Sequence, residues 1–178
     1  VRVTAAMQDP NPTVAGKGFQ RLREAGMEVV VGVEGKRAAA LNPGFIRRMQ
    51  TGRPRVRVKL AASMDGRTAA SDGNSQWISC EASREDVHRL RAGSCAVVTG
   101  MGTVNADNPR LNARLTEPIV QPLRVIIDSK GQLSSKAALF GVDGAVLVAS
   151  AGSTRDKSDA FDSRTESITC PLYSSVVP

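Results

Sequence analysis

Three apolar, β-branched runs limit the fold more than anything else in the chain: "SCAVVTG" (94–100), "PLRVIID" (122–128) and "GAVLVAS" (144–150). Such continuous runs, separated by helical or loop segments, indicate a mainly parallel sheet covered on both faces. Upstream, "RVRVKLAAS" (55–63) alternates Val56, Val58 and Leu60 with Arg55, Arg57 and Lys59, the period-two pattern of a half-exposed strand. "CEASREDVHRLRAG" (80–93) has helical character, with Ser79 as the expected N-cap.

The first fifty residues read as strand ("VRVTAA"), turn-rich loop ("QDPNPTVAGKG"), and a short helix closed by Gly26. The strand "MEVVVGV" and a helical stretch, "KRAAALNPGFIRRMQ", broken at Pro43-Gly44, follow. "TGRP" (51–54) then punctuates the chain, which predicts a first unit over 1–51 and a second over 52–178. From Ala151 onward the pattern decays into Ser, Asp and Thr, with "PLYSSVVP" expected as one more short strand. A sheet of these strands alone is left open. The chain also starts inside a strand and without Met, so it reads as a piece of a longer protein.

No run of 18 apolar residues exists to span a bilayer. The opening "VRVTAAMQDP" lacks the apolar core and cleavage site of a signal peptide. A cytoplasmic protein is expected, and its three cysteines (Cys80, Cys95, Cys170) read as reduced thiols. The lone histidine, His88, reads as a half-buried or solvent-facing residue of the 80–93 helix. A Cys–His nucleophile is the weaker reading, because Cys95 opens an expected buried strand and Cys80 starts a helix without an orienting partner. One histidine and no paired cysteines also exclude a zinc deaminase site within this chain.

Charge is unevenly distributed. Residues 1–67 hold 13 Lys/Arg against 5 Asp/Glu, while residues 68–178 hold 11 against 12. The cluster Arg47, Arg48, Arg53, Arg55, Arg57 and Lys59 invites a nucleic-acid reading. Single-strand binders need aromatic platforms between such residues, and only Phe45 is near. A solvated or interface face is the preferred reading.

In open α/β sheets ligands bind beyond the carboxyl ends of the strands. After "VRVKL" come Ala61, Ala62 and Ser63. After "CAVVT" comes "GMGTVNADNPRL", and after "LRVII" come Asp128 and Ser129. These small, glycyl and hydroxyl residues suit hydrogen bonding to a phosphate or ribose. "GMGTVN" has Asn105 in place of the third glycine of the dinucleotide fingerprint and fails that motif. No P-loop is present.

Taken in order, "KLAASMDGRTA", "GNSQWIS", "GMGTVNADNPRLNAR" and "PLRVIIDS" resemble the reductase domain of the bifunctional riboflavin-biosynthesis deaminase/reductase family. "MQDPNPTVAGKGFQRLREAGMEVVVGV" and "LNPGFIRRMQTGRP" resemble the end of the deaminase domain that precedes it. The resemblance runs from Val1 to about Ser150 and leaves 151–178 uncovered. It implies an α/β fold, a partial dihydrofolate-reductase-like mainly parallel sheet, preceded by the C-terminal part of a cytidine-deaminase-like α/β domain. It implies NADPH as cofactor, with zinc confined to a deaminase part before Val1. The implied reaction is reduction of the ribosyl group of 5-amino-6-(5-phosphoribosylamino)uracil to a ribityl chain.

By the same resemblance, Ala61, Trp77, Thr103, Asp107 and Ser129 fall at cofactor-binding positions. Ser75, Arg91, Leu111 and Arg114 fall at substrate-binding positions. No residue is assigned as catalytic and none as a metal ligand. The cofactor supplies the hydride, so no protein nucleophile is needed. Arg91 and Arg114 suit a phosphate, though each taken alone reads rather as a surface arginine. Trp77 reads as a flat wall beside the cofactor or as core, and Asp107 as a ribose or amide partner or a cap of the "NADNP" turn. The expected partners are a small phosphorylated pyrimidine and further copies of the chain as a homo-oligomer, with no nucleic acid and no membrane. The chain by itself is expected to hold half of the NADPH site and to turn over little substrate. Two alternatives stay open: another NADPH reductase of the same fold, such as one acting on a pterin, and a basic nucleic-acid-binding module.

Overall fold

The structure is a computed structural model that describes residues 1–151 and 164–169. The expected strand "PLYSSVVP" and Cys170 lie outside the described residues. The chain divides into two compact units, Val1–Leu60 and Ala61–Pro178.

In the first unit, β1 (Arg2–Ala5) and β2 (Glu28–Val31) pair in parallel, Val3 opposite Val29. Between them runs α1 (Lys17–Glu24), and after β2 come α2 (Gly35–Leu41) and α3 (Pro43–Thr51). Gly26, at φ 77°, ends α1 by donating its N–H to the Arg23 carbonyl at 2.9 Å; a left-handed residue there is what a glycine permits without strain. Pro43 stands at the first turn of α3, where its missing N–H has no helical partner to lose. No residue of 1–60 is fully buried.

The expected strand over 55–63 is absent. Residues 53–63 carry no regular structure, and Val56, Val58 and Leu60 are 77%, 79% and 78% exposed. Alternation supplies only the side-chain pattern of a strand. The backbone groups need a neighbouring strand as well, and no described strand pairs with this segment.

The second unit holds α4 (Glu81–Ala92), β3 (Ala96–Gly100), α5 (Met101–Asp107), β4 (Leu123–Ile127), a 3-10 turn (Ala138–Gly141), β5 (Val146–Ser150) and β6 (Thr165–Thr169). The strands form one parallel sheet in the order β3-β4-β5-β6. β6, "TESIT", was not expected from the sequence. A polar strand at the end of the described sheet carries no apolar run, and its pairing comes from the main chain of β5.

The core lies on one face of this sheet. Ile126, Val146 and Val148 meet Val104 of α5, Leu111, Leu133, Ala137 and Leu139. The other face is thinner: Leu123 and Val125 are half-buried and Ile127 is 50% exposed. The expectation of a sheet covered on both faces is thus met fully on one face and only in part on the other among the described residues, because apolar runs show that burial is available without showing which layers supply it.

Arg124 points into the buried face at 1% exposure and donates to the carbonyl oxygens of Leu139, Val142 and Gly144. Burial, with Arg164 nearby, pulls its guanidinium below the usual arginine range. The side chain thereby satisfies the carbonyls of the turn that leads into β5. Gly144 sits at φ 110°, where an added Cβ would meet Gln121 Cβ at 3.2 Å and the guanidinium at 3.3 Å. No helix among the described residues is long and apolar enough to cross a membrane.

Candidate active site

Gly100 pairs with Ile127 in the β3–β4 register, so the chain leaves both strands at the same edge. From there Met101–Asp107 continues as α5 and 128–133 as a loop. Thr103 and Ser129 are both exposed at these neighbouring exits. A Cβ built at Gly100 or at Gly102 meets nothing within 4 Å, which leaves open space against the backbone. Beneath Ser129, Asp128 is 1% exposed and accepts the N–H groups of Gln132 at 2.9 Å and Leu133 at 2.8 Å. Its own N–H donates to Ala149 at 2.8 Å. Sequence reasoning had treated Asp128 only as a neighbour of Ser129.

The loop before α4 carries Ser75 and Trp77. Ser75 donates its hydroxyl to Asp107 Oδ1 at 3.4 Å, which brings one expected substrate residue to one expected cofactor residue at the end of α5. Trp77 is 69% exposed and not core. The guanidinium of Arg84 lies 4.3 Å from its ring centroid and donates to the Ser79 carbonyl at 2.6 Å. Helix α4 starts one residue later than expected: Cys80, not Ser79, is the N-cap, with no side-chain cap bond. Ser79 instead gives its carbonyl to Arg84, and Cys80 Sγ lies 3.3 Å from Ser83 Oγ. That contact lowers the thiol pKa of exposed Cys80. Cys95, expected at a buried strand, is exposed.

Arg91 and Arg114 come together around Asn112, a residue the sequence did not single out. Arg91 donates to the Asn112 carbonyl at 3.2 Å, and Arg114 to Asn112 Oδ1 at 3.0 Å. The Arg114 N–H donates to His88 Nδ1 at 3.3 Å. Burial, then the charge of Arg114, lowers the Arg91 pKa. His88 is pushed below its ordinary value by burial, then by Arg114 and Arg91, so its neutral form is favoured there. The two guanidiniums, beside a neutral imidazole, make a cationic patch. Leu111 differs from its neighbours: the residue is 5% exposed within the core, and its φ is +58°.

Ala61, half-buried, stands before a closed turn in which Ser63 donates to Asp65 at 2.5 Å and Arg67 pairs with Asp65 at 3.0 Å. The Ser63 hydroxyl is the main cause that lowers the Asp65 pKa. A cleft of about 530 Å³ lies at the amino ends of β4, β5 and β6, lined by Asn112, which joins Arg91 to Arg114, and by Gln121, Phe140, Val142, Asp143 and Arg164 among others. None of the nine expected site residues lines it.

The family described as "RibD C-terminal domain" matches residues 54–168. The riboflavin biosynthesis protein RibD of Escherichia coli K12 is 46% identical over 145 residues, which cover 75% of this chain and 40% of that protein. Among solved structures, Acinetobacter baumannii RibD (form 1) superposes with a TM-score of 0.85 at 42% identity, covering 96% of this chain and 49% of the other. A diaminohydroxyphosphoribosylaminopyrimidine deaminase/5-amino-6-(5-phosphoribosylamino)uracil reductase from Thermotoga maritima does so with a TM-score of 0.83 at 35% identity, covering 96% and 47%. This chain thus spans less than half the length of each of these three relatives. The neighbours bear out the expected dihydrofolate-reductase-like α/β class, and they favour the enzyme over the basic nucleic-acid-binding module. By the match over 54–168 and these likenesses, the chain belongs to the RibD C-terminal domain family.

Proposed function

We propose that the chain serves riboflavin biosynthesis as a reductase, using NADPH to convert the ribosyl group of 5-amino-6-(5-phosphoribosylamino)uracil to ribityl. The observation that carries this reading is the 35% identity, over 96% of this chain, to the Thermotoga maritima protein named for that reduction. The strand exits support it. Thr103 and Ser129 offer hydroxyls beside the open backbone at Gly100 and Gly102, a donor set that fits the phosphates and riboses of a dinucleotide. NADPH, when bound, supplies the hydride.

In this reading Ala61, Trp77, Thr103, Asp107 and Ser129 hold the cofactor. Ser75, Arg91, Leu111 and Arg114 hold the substrate, with the two arginines on its phosphate through charge-assisted bonds. His88, kept neutral, leaves that charge to the arginines. The pyrimidine deaminase activity in the Thermotoga name needs metal ligands that a chain with one histidine and three cysteines does not supply. Zinc and deamination are therefore assigned to a companion region of the same protein, with 1–51 as the end of a deaminase-like domain and 52–178 as reductase. A cytoplasmic homo-oligomer completes the proposal.

The test is turnover of NADPH with the phosphorylated uracil substrate by the polypeptide containing this chain. Arg91→Ala and Arg114→Ala are each expected to raise KM by roughly tenfold or more, the worth of a charge-assisted bond. Turnover of a pterin in place of the uracil would overturn the reading.

A further inference from the structure

Trp77 is the only tryptophan in the chain and 69% exposed, an unusual placement for a large aromatic side chain that buries well. An exposed indole on a loop has no packing to hold its plane. Here a residue outside the expected site does so. Arg84, in the first turn of α4, reaches back across the loop, its guanidinium 4.3 Å from the ring centroid. The same group donates to the Ser79 carbonyl at 2.6 Å. One planar side chain thus contacts both Trp77 and the backbone two residues further on. Before Trp77, the loop is tied by Asn74 Oδ1 accepting the Gln76 N–H at 3.0 Å and by Ser75 donating to Asp107 at 3.4 Å. Trp77 lies between two anchored points, and Arg84 is the one that touches its ring.

We propose that Arg84 is a positioning residue for the cofactor: it covers one face of the Trp77 indole and locks the ring, so that the free side of the ring is presented to the nicotinamide dinucleotide. This rests on the reading that Trp77 borders the cofactor. A lysine could supply the charge over the ring, but not a planar fork that stacks and donates sideways to a carbonyl at once. The arrangement therefore requires arginine itself.

The experiment uses the polypeptide containing this chain, with Trp77 emission taken as the difference from a Trp77→Phe variant. Acrylamide quenching of that emission without ligand reads the ring's freedom, and quenching by added NADPH reads cofactor binding. Arg84→Met and Arg84→Lys keep the aliphatic stem and the helix propensity of α4, and circular dichroism checks that both remain folded. Arg84→Met is expected to increase acrylamide quenching and to weaken NADPH binding roughly tenfold, since it removes both a cation–π contact and a charged hydrogen bond. Arg84→Lys should recover less than half of either effect. Unchanged acrylamide quenching in Arg84→Met, unchanged NADPH affinity, or a lysine variant equal to the parent would each overturn the proposal alone. Failure of the unaltered polypeptide to bind NADPH would count against the cofactor reading itself, and the proposal would fall with it.

Discussion

Asp128 accepts the Leu133 N–H at 2.8 Å while its carboxylate is almost wholly withdrawn from water, at 1% exposure. A second bond, from the Gln132 N–H at 2.9 Å, makes it the internal brace of the loop that carries Ser129. Removing it strands two backbone donors, one of them on buried Leu133. Asp128→Ala is expected to destabilise the second unit by about 2–4 kcal/mol, and Asp128→Asn by less, because one acceptor survives. Urea unfolding followed by circular dichroism measures both. A loss below about half a kcal/mol for the alanine variant would contradict the brace.

Leu111 combines a core side chain with φ +58°, a conformation that costs a non-glycine residue about 1–3 kcal/mol. In ordinary backbone, glycine is less stable than alanine. At this position the order is expected to reverse. Leu111→Ala loses the leucine burial and keeps the strain, while Leu111→Gly loses the burial and releases it. Chemical denaturation of the two variants gives the answer, and an alanine variant more stable than the glycine one would contradict the strain.

Acid should weaken the corner built by His88, Arg91 and Arg114. The folded-state pKa of His88 lies below the ordinary histidine value of about 6.5, so the unfolded chain binds the proton more readily and stability rises with pH in this window. The contribution of neutral His88 is complete above 6.5 and is lost as pH falls from there through the folded value. His88→Gln cannot titrate. Between about pH 8 and about pH 5, the parent is expected to lose more stability than the glutamine variant. Parallel denaturation curves at both pH values for the two proteins check this, and equal losses would refute it.

The two units differ in what they bury. Residues 1–60 have no fully buried member, whereas the second unit closes a core around Ile126 and Leu139, both at 0% exposure. Hydrogen exchange is expected to show β1 and β2 exchanging faster than β4 and β5, since protection follows buried contacts. Equal protection in both sheets would contradict it.

Much of this architecture was legible in the sequence. The runs at 94–100, 122–128 and 144–150 became β3, β4 and β5, and the glycine and hydroxyl residues after them do stand at neighbouring strand exits. Periodicity reports such elements because a buried strand must be apolar wherever it lies. "RVRVKLAAS" failed for the complementary reason: its pattern satisfied the side chains, and no described strand satisfied its backbone. β6 was illegible because an end strand is defined by its neighbour's hydrogen bonds and not by its own composition.

Sequence alone therefore determined the residue types, their order and the parallel sheet of the second unit, since these follow from local hydrophobicity and motif order. Only the tertiary structure decided that Asn112 joins Arg91 to Arg114, that Arg84 covers Trp77, and that Asp128 braces the Ser129 loop. These partners lie on different elements or lack any periodic signature. Stacking and hydrogen bonding depend on distances of a few ångströms, which chain folding sets and sequence spacing does not.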